Sequence, residues 1–211
     1  MRYHSNSNGR YLLHDWLIIS YRVPNEPSAL RVATWRALKQ LGAVKLGDGA
    51  YFLPNTAACA EAMADVRTRI IAGGGAAVAV EAQGLDDADR VYLDDEFAAA
   101  RADEFAQVAR SAARLVEHIG REEVTDDYRF AEVDTLEEEL EKVRRQFQRV
   151  VDRDYLGCPV REQAAAALSE ADSRLRRYLD EAFRRENGLP EREATPPLAA
   201  TPVPLRRRKS L

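Results

Sequence analysis

The sequence predicts an α+β fold, a small platform of strands and helices followed by a mainly helical half. Three observations carry this. Over residues 15–83, short apolar runs bounded by Gly and Pro alternate with two stretches of helical spacing. Beyond residue 84 the periodicity is helical throughout, with apolar positions three and four apart. With 211 residues, 45% of them hydrophobic and 31% charged, the chain suits one ordinary domain or two small lobes, and wholesale disorder is excluded.

Residues 1–14 are polar and are expected to be a flexible N-terminus. In Asp15-Trp-Leu-Ile-Ile-Ser-Tyr21 both alternate sets are mostly apolar, as in a strand covered on both faces. Pro24 and Pro27 end it. Leu30, Ala33, Thr34, Ala37, Leu38 and Leu41 recur at helical spacing, with Gly42 as the C-cap. Two short strands, Ala43–Leu46 and Ala50–Leu53, flank Gly47-Asp48-Gly49, a hairpin turn where glycine accepts positive φ. Asn55 or Thr56 caps a second helix running to about Ala72. Gly73-Gly74-Gly75 breaks it, and Ala76–Ala82 forms the last strand. The order β-α-β-β-α-β is the ferredoxin-like arrangement, an antiparallel four-stranded sheet with both helices on one face. The other face is expected to be covered by the helical half or by a second copy of the domain.

The helical half is assigned to residues 84–187. Phe97, Arg101, Phe105, Val108, Ala112, Leu115 and Ile119 form one stripe. Thr135-Leu-Glu-Glu138 has the form of a capping box opening a helix with Leu136, Leu140, Val143, Phe147 and Val150 inward. Gly157-Cys158-Pro159 breaks the pattern, and a third stripe follows from Ala164 through Leu168, Ala171, Leu175 and Tyr178 to Ala182. The last two helices are expected to pair as an antiparallel hairpin. The acid runs Asp94-Asp95-Glu96 and Glu137-Glu138-Glu139 are placed at helix starts, where the macrodipole favours negative charge. Residues 188–211 form a Pro-rich tail ending in Arg206-Arg-Arg-Lys209, expected to be disordered.

Charge is unevenly spread. Residues 1–83 carry a net +3, residues 84–194 a net −11 and residues 195–211 a net +4. A phosphate backbone would therefore meet the N-terminal domain or the tail. No apolar run spans a bilayer, no signal peptide is visible, and two cysteines make no disulfide scaffold, so a cytoplasmic location without membrane contact is expected. No nucleophile motif, P-loop or dinucleotide fingerprint occurs, and no catalytic residue or cofactor is assigned. The three histidines, His4, His14 and His118, lie far apart, and no metal ligand set is assigned.

With the core stripe of the first helix inward, Arg31, Trp35, Arg36 and Lys39 fall on its flank and back. A ring between two cations suits an anion or nucleic acid, because the ring stacks while the cations pair with phosphates or oxyanions. Arg22, at the end of the first strand, and Lys45 extend this set. The competing reading buries Trp35 under the C-terminal helices or a second subunit.

Trp16, Ser20, Pro24, Arg31-Val-Ala-Thr-Trp-Arg-Ala-Leu-Lys-Gln-Leu-Gly-Ala43, Asp48-Gly-Ala-Tyr51 and Leu53-Pro54 resemble the N-terminal domain of ChrB-type chromate-resistance proteins. Arg153-Asp-Tyr-Leu-Gly-Cys-Pro159 is similar to the helical half of that family. The first block also looks more distantly like PaaX-type effector domains and their Cas2-like ferredoxin fold. The resemblance implies a regulatory or accessory role in chromate resistance: transcriptional control of a chromate-efflux operon, with DNA, chromate or a chromate-sensing protein as partners and a homo-oligomeric state. Longer family members carry a C-terminal sensing domain where this sequence has its Pro-rich tail. The alternatives are a protein–protein adaptor using the helical hairpin and a Cas2-like metal-dependent nuclease. The nuclease reading is weakened because the first strand ends in Ser20-Tyr-Arg22, without the carboxylate that would hold a cation. Chromate oxidises thiols, which makes Cys158 a redox candidate. Its place at a helix start is expected to lower its pKa.

Overall fold

The computed structural model describes residues 15–24, 26, 28–83, 85–126 and 128–190; the expected N-terminal segment and the expected tail from residue 191 on lie outside that set. Four strands and five helices follow in the order β1 (Trp16–Arg22), α1 (Ser28–Gln40), β2 (Val44–Lys45), β3 (Ala50–Pro54), α2 (Ala57–Ala72), β4 (Ala76–Ala82), α3 (Asp87–Thr125), α4 (Phe130–Val151) and α5 (Arg161–Glu186). The architecture is α+β and mostly helical. The strands form one sheet in the order β2-β3-β1-β4, with every neighbouring pair antiparallel.

The register sorts β1 into two faces, since directly opposed residues share a face. Leu17 lies opposite Leu53, and Ile19 opposite Tyr51 and Ala79. Leu17, Ile19 and Leu53 are buried in one apolar cluster with Leu38 of α1 and Met63, Val66 and Ile70 of α2. The other face begins with Trp16 and Phe52, which meet edge to face at 5.1 Å and are covered by Phe97 of α3. Farther along it, Ser20, Val78 and Val80 are exposed. The expectation of a strand covered on both faces therefore holds at the Trp16 end and fails at the Ser20 end, because α3 crosses only part of the sheet.

Thr56 caps α2 by accepting from the Cys59 amide at 3.1 Å. Gly42 ends α1 with φ +75, its amide bonded to the Lys39 carbonyl and that of Ala43 to the Leu38 carbonyl. A side chain on Gly42 would lie 2.5 Å from Arg101 Nη1 and 2.9 Å from Arg153 Cβ, so both the backbone angle and the packing require glycine.

α3 is about 58 Å long, at 1.5 Å per residue. Its Leu93 and Phe97 belong to the sheet core, while Phe105 to Ile119 belong to a second core shared with α4 and α5. The stripe read from the sequence, Phe97 to Ile119, is buried at every position. Two expected helix starts move. α3 begins at Asp87, capped by Asp86, and α4 at Phe130, so Asp94-Asp95-Glu96, Thr135 and Glu137-Glu138-Glu139 are all helix interior. Asp95, Glu96, Glu137 and Glu138 are exposed and stay hydrated without a helix terminus, whereas Asp94 is buried. Among the described residues no helix is long and apolar enough to cross a membrane.

Candidate functional site

The α1 segment forms a helix with one apolar side, and its remaining side carries the cations. Arg31, Trp35, Arg36 and Lys39 are all exposed, Trp35 at 47%. Lys39 Nζ lies 5.2 Å from the centre of the Trp35 ring. Trp35 is thus not covered by the C-terminal helices. Arg22 is exposed opposite Ala76 and shares the parity of Trp16 and Ser20. It belongs to the sheet face opposite α1 and α2, apart from the α1 set.

What sequence reasoning missed is the second wall. Arg36, Lys39 and Gln40 of α1 line a groove of about 470 Å³ together with Glu104 and Gln107 of α3, Gln146, Arg149 and Val150 of α4, and Arg153. Four cations face one carboxylate there. Glu104 is already engaged, with Arg153 Nε at 3.0 Å and Arg101 Nη1 at 3.4 Å. The groove therefore presents net positive charge inside a chain whose middle segment is acidic.

The wall is held by the segment after α4. Arg153 Nη1 donates to the Lys39 carbonyl at 3.4 Å, and the Tyr155 hydroxyl donates to the Leu41 carbonyl at 3.2 Å. Both acceptors lie at the C-terminal end of α1, where a cation complements the macrodipole. Burial first, and then Cys59, push the Tyr155 phenol up to about 12, so it remains a donor. Arg101 is buried, with its guanidinium 5.1 Å from the centre of Phe97. Burial lowers its pKa while Glu104 pulls the other way. Its place between Gly42 and Glu104 makes it a positioning residue for Arg153.

Cys158 departs from expectation. Its sulfur is buried, and burial raises the thiol pKa against the pull of the Val160 and Arg161 amides. Its own amide donates to the Asp154 carboxylate at 2.9 Å, so the residue anchors the turn ahead of α5. Labelling of Cys158 by a thiol reagent, read by peptide mass spectrometry, is expected to run at least about 10-fold slower in the native chain than in urea. Equal rates would contradict the burial.

The matches to known proteins bear on the same residues. The family model for Protein ChrB, N-terminal, matches residues 31–189, about three quarters of the chain. The chain belongs to the ChrB N-terminal family. The matched range takes in α1 from Arg31 onward, the Arg153–Pro159 segment and both walls of the groove. Protein ChrB of Cupriavidus metallidurans is 48% identical over 40 residues, 19% of this chain and 12% of that protein. The match thus spans about an eighth of that relative's length. No solved structure matches.

Proposed function

We propose that this ChrB-family chain is a non-enzymatic regulatory or accessory protein of chromate resistance, acting in transcriptional control through anion contacts made by its N-terminal platform. The observation that carries the reading is the groove in which, among the described residues that line it, Arg36, Lys39, Arg149 and Arg153 meet the one carboxylate of Glu104, beside an exposed Trp35. Cations there pair with phosphates while the ring stacks on a base or sugar. The strand order β2-β3-β1-β4 and the helix pair on one face support a ferredoxin-like platform, and the α4–α5 contact supports a helical hairpin. No cutting step is proposed, because β1 ends in Ser20, Tyr21 and Arg22 rather than in a carboxylate.

A second reading, a protein–protein adaptor, is favoured by an apolar pocket lined by Tyr128, Val133, Leu179, Ala182 and Phe183, with Phe183 61% exposed. The test titrates labelled duplex DNA from upstream of the chain's own operon against the full chain and follows fluorescence anisotropy. The expected result is binding that Arg36→Ala/Lys39→Ala/Arg149→Ala weakens at least about 100-fold at low salt. Binding unchanged by the triple variant would overturn the groove reading, and absence of any binding would favour the adaptor.

A further inference from the structure

His118, at the far end of α3 from the sheet core, is surrounded by carboxylates from two helices. Glu122 lies one turn along α3, and Glu132 and Glu139 lie two turns apart on α4. The imidazole addresses them with different atoms. Nε2 is 3.2 Å from Glu132 Oε1 and 3.6 Å from Glu122 Oε1. Nδ1 is 3.2 Å from Glu139 Oε2 and is hydrogen-bonded to it. His118, Glu122 and Glu132 are about four-fifths buried, Glu139 less so. We propose that Nε2 of His118 and the carboxylates of Glu122 and Glu132 form a binding site for a divalent transition-metal cation on the α3–α4 seam, with Glu139 orienting the imidazole.

The geometry separates this set from an ordinary acidic patch. A cation with ligands at about 2.1 Å sets them roughly 3.4 Å apart along a tetrahedral edge and roughly 3.0 Å along an octahedral one. The two nitrogen–oxygen separations, 3.2 and 3.6 Å, fall close to those edges. The three ligand atoms lie within 4.8 Å of one another, so closing the remaining gap takes a turn of one glutamate side chain. Glu139 Oε2 lies 3.2 Å from Nδ1, the place that a carboxylate takes behind a metal-binding histidine; in the tautomer with its proton on Nδ1, Nε2 turns a lone pair toward the two glutamate oxygens. Three electron-rich atoms then converge on one point, which a cation resolves. A second proton on Nε2 is the competing occupant. One nitrogen and two oxygens, without thiolate, suit Mn²⁺, Fe²⁺, Co²⁺ or Zn²⁺ and are a poor match for Mg²⁺ or Cu⁺. The site shares no residue with the anion groove, so either proposal can fail alone.

The test uses the full chain carrying His4→Ala and His14→Ala, which leaves His118 as the sole imidazole. After chelator treatment it is titrated with Zn²⁺ by calorimetry and with Co²⁺ by visible absorption. The expected result is one ion per chain. Glu122→Gln and Glu132→Gln should each weaken binding at least about 10-fold, Glu139→Gln less than either, and Glu117→Gln, on the neighbouring exposed position, not at all. Far-UV circular dichroism of the metal-free variants shows whether they fold. If a variant does not fold, Mn²⁺ broadening of the His118 ring resonances in the unsubstituted chain decides. Broadening at His118 supports the site, and broadening elsewhere or nowhere overturns it. No saturable uptake, or uptake that survives both ligand substitutions in folded protein, would also overturn it.

Discussion

Phe97→Ala is expected to destabilise the chain by about 4 kcal/mol, within the range for removing a buried aromatic ring. Phe97 is fully buried and meets Trp16 at 5.7 Å, Phe52 at 6.4 Å and Tyr155 at 6.3 Å. It also supports the Arg101 guanidinium. α3 contributes to both apolar clusters, and with Leu93 the Phe97 ring ties it to the sheet core. The vacated volume cannot collapse without moving α3, so the cavity term adds to the lost transfer energy. In a chain of this length, that loss corresponds to a fall in Tm of about 8–16 °C. Phe183→Ala, at an exposed ring, should change stability by less than about 0.5 kcal/mol. A Phe97→Ala protein that melts within a degree or two of the parent would contradict the tie.

Gly42→Ala is expected to lose about 3 kcal/mol, from two sources. Alanine at φ +75 is strained by about 1 kcal/mol. The added methyl also meets Arg101 Nη1 at 2.5 Å and the Arg153 stem at 2.9 Å, and overpacking of this kind costs about 1–3 kcal/mol. Gly47→Ala is the control. Its φ of +98 is similarly strained, but nothing lies within 4 Å of the new methyl, so only about 1 kcal/mol is expected. Denaturant melts of the two variants separate the sources. Equal losses would mean that the C-terminal end of α1 does not press on Arg101 and Arg153.

Most of the framework was legible because single-face burial leaves a direct mark on sequence. The stripe from Phe97 to Ile119 is one continuous buried face, and each of its residues is inaccessible. The cations of α1 were legible by subtraction, since whatever the apolar stripe leaves over faces water. Helix starts were harder to place. Glu137-Glu138-Glu139 resembles a dipole-stabilised first turn, but glutamate propagates a helix as well as it opens one. The second wall of the groove was out of reach, because Arg153 bonds to the carbonyl of Lys39 from 114 positions away. Nothing local in Arg149 or Arg153 says which helix end they will face. The pKa argument for Cys158 weighed the helix start and lacked the burial, which is larger. The His118 cluster was half visible as a histidine and a glutamate four apart, and the α4 glutamates complete it only in three dimensions.

The salt dependence of duplex binding tests the central claim most directly. If Arg36, Lys39 and Arg149 each neutralise a phosphate, log Kobs falls with log salt concentration by about 0.9 per contact. The plot for the variant lacking all three should then be shallower by about 2.7 than that of the parent chain. Two parallel lines would mean that these cations touch no phosphate and that the groove is not the contact face.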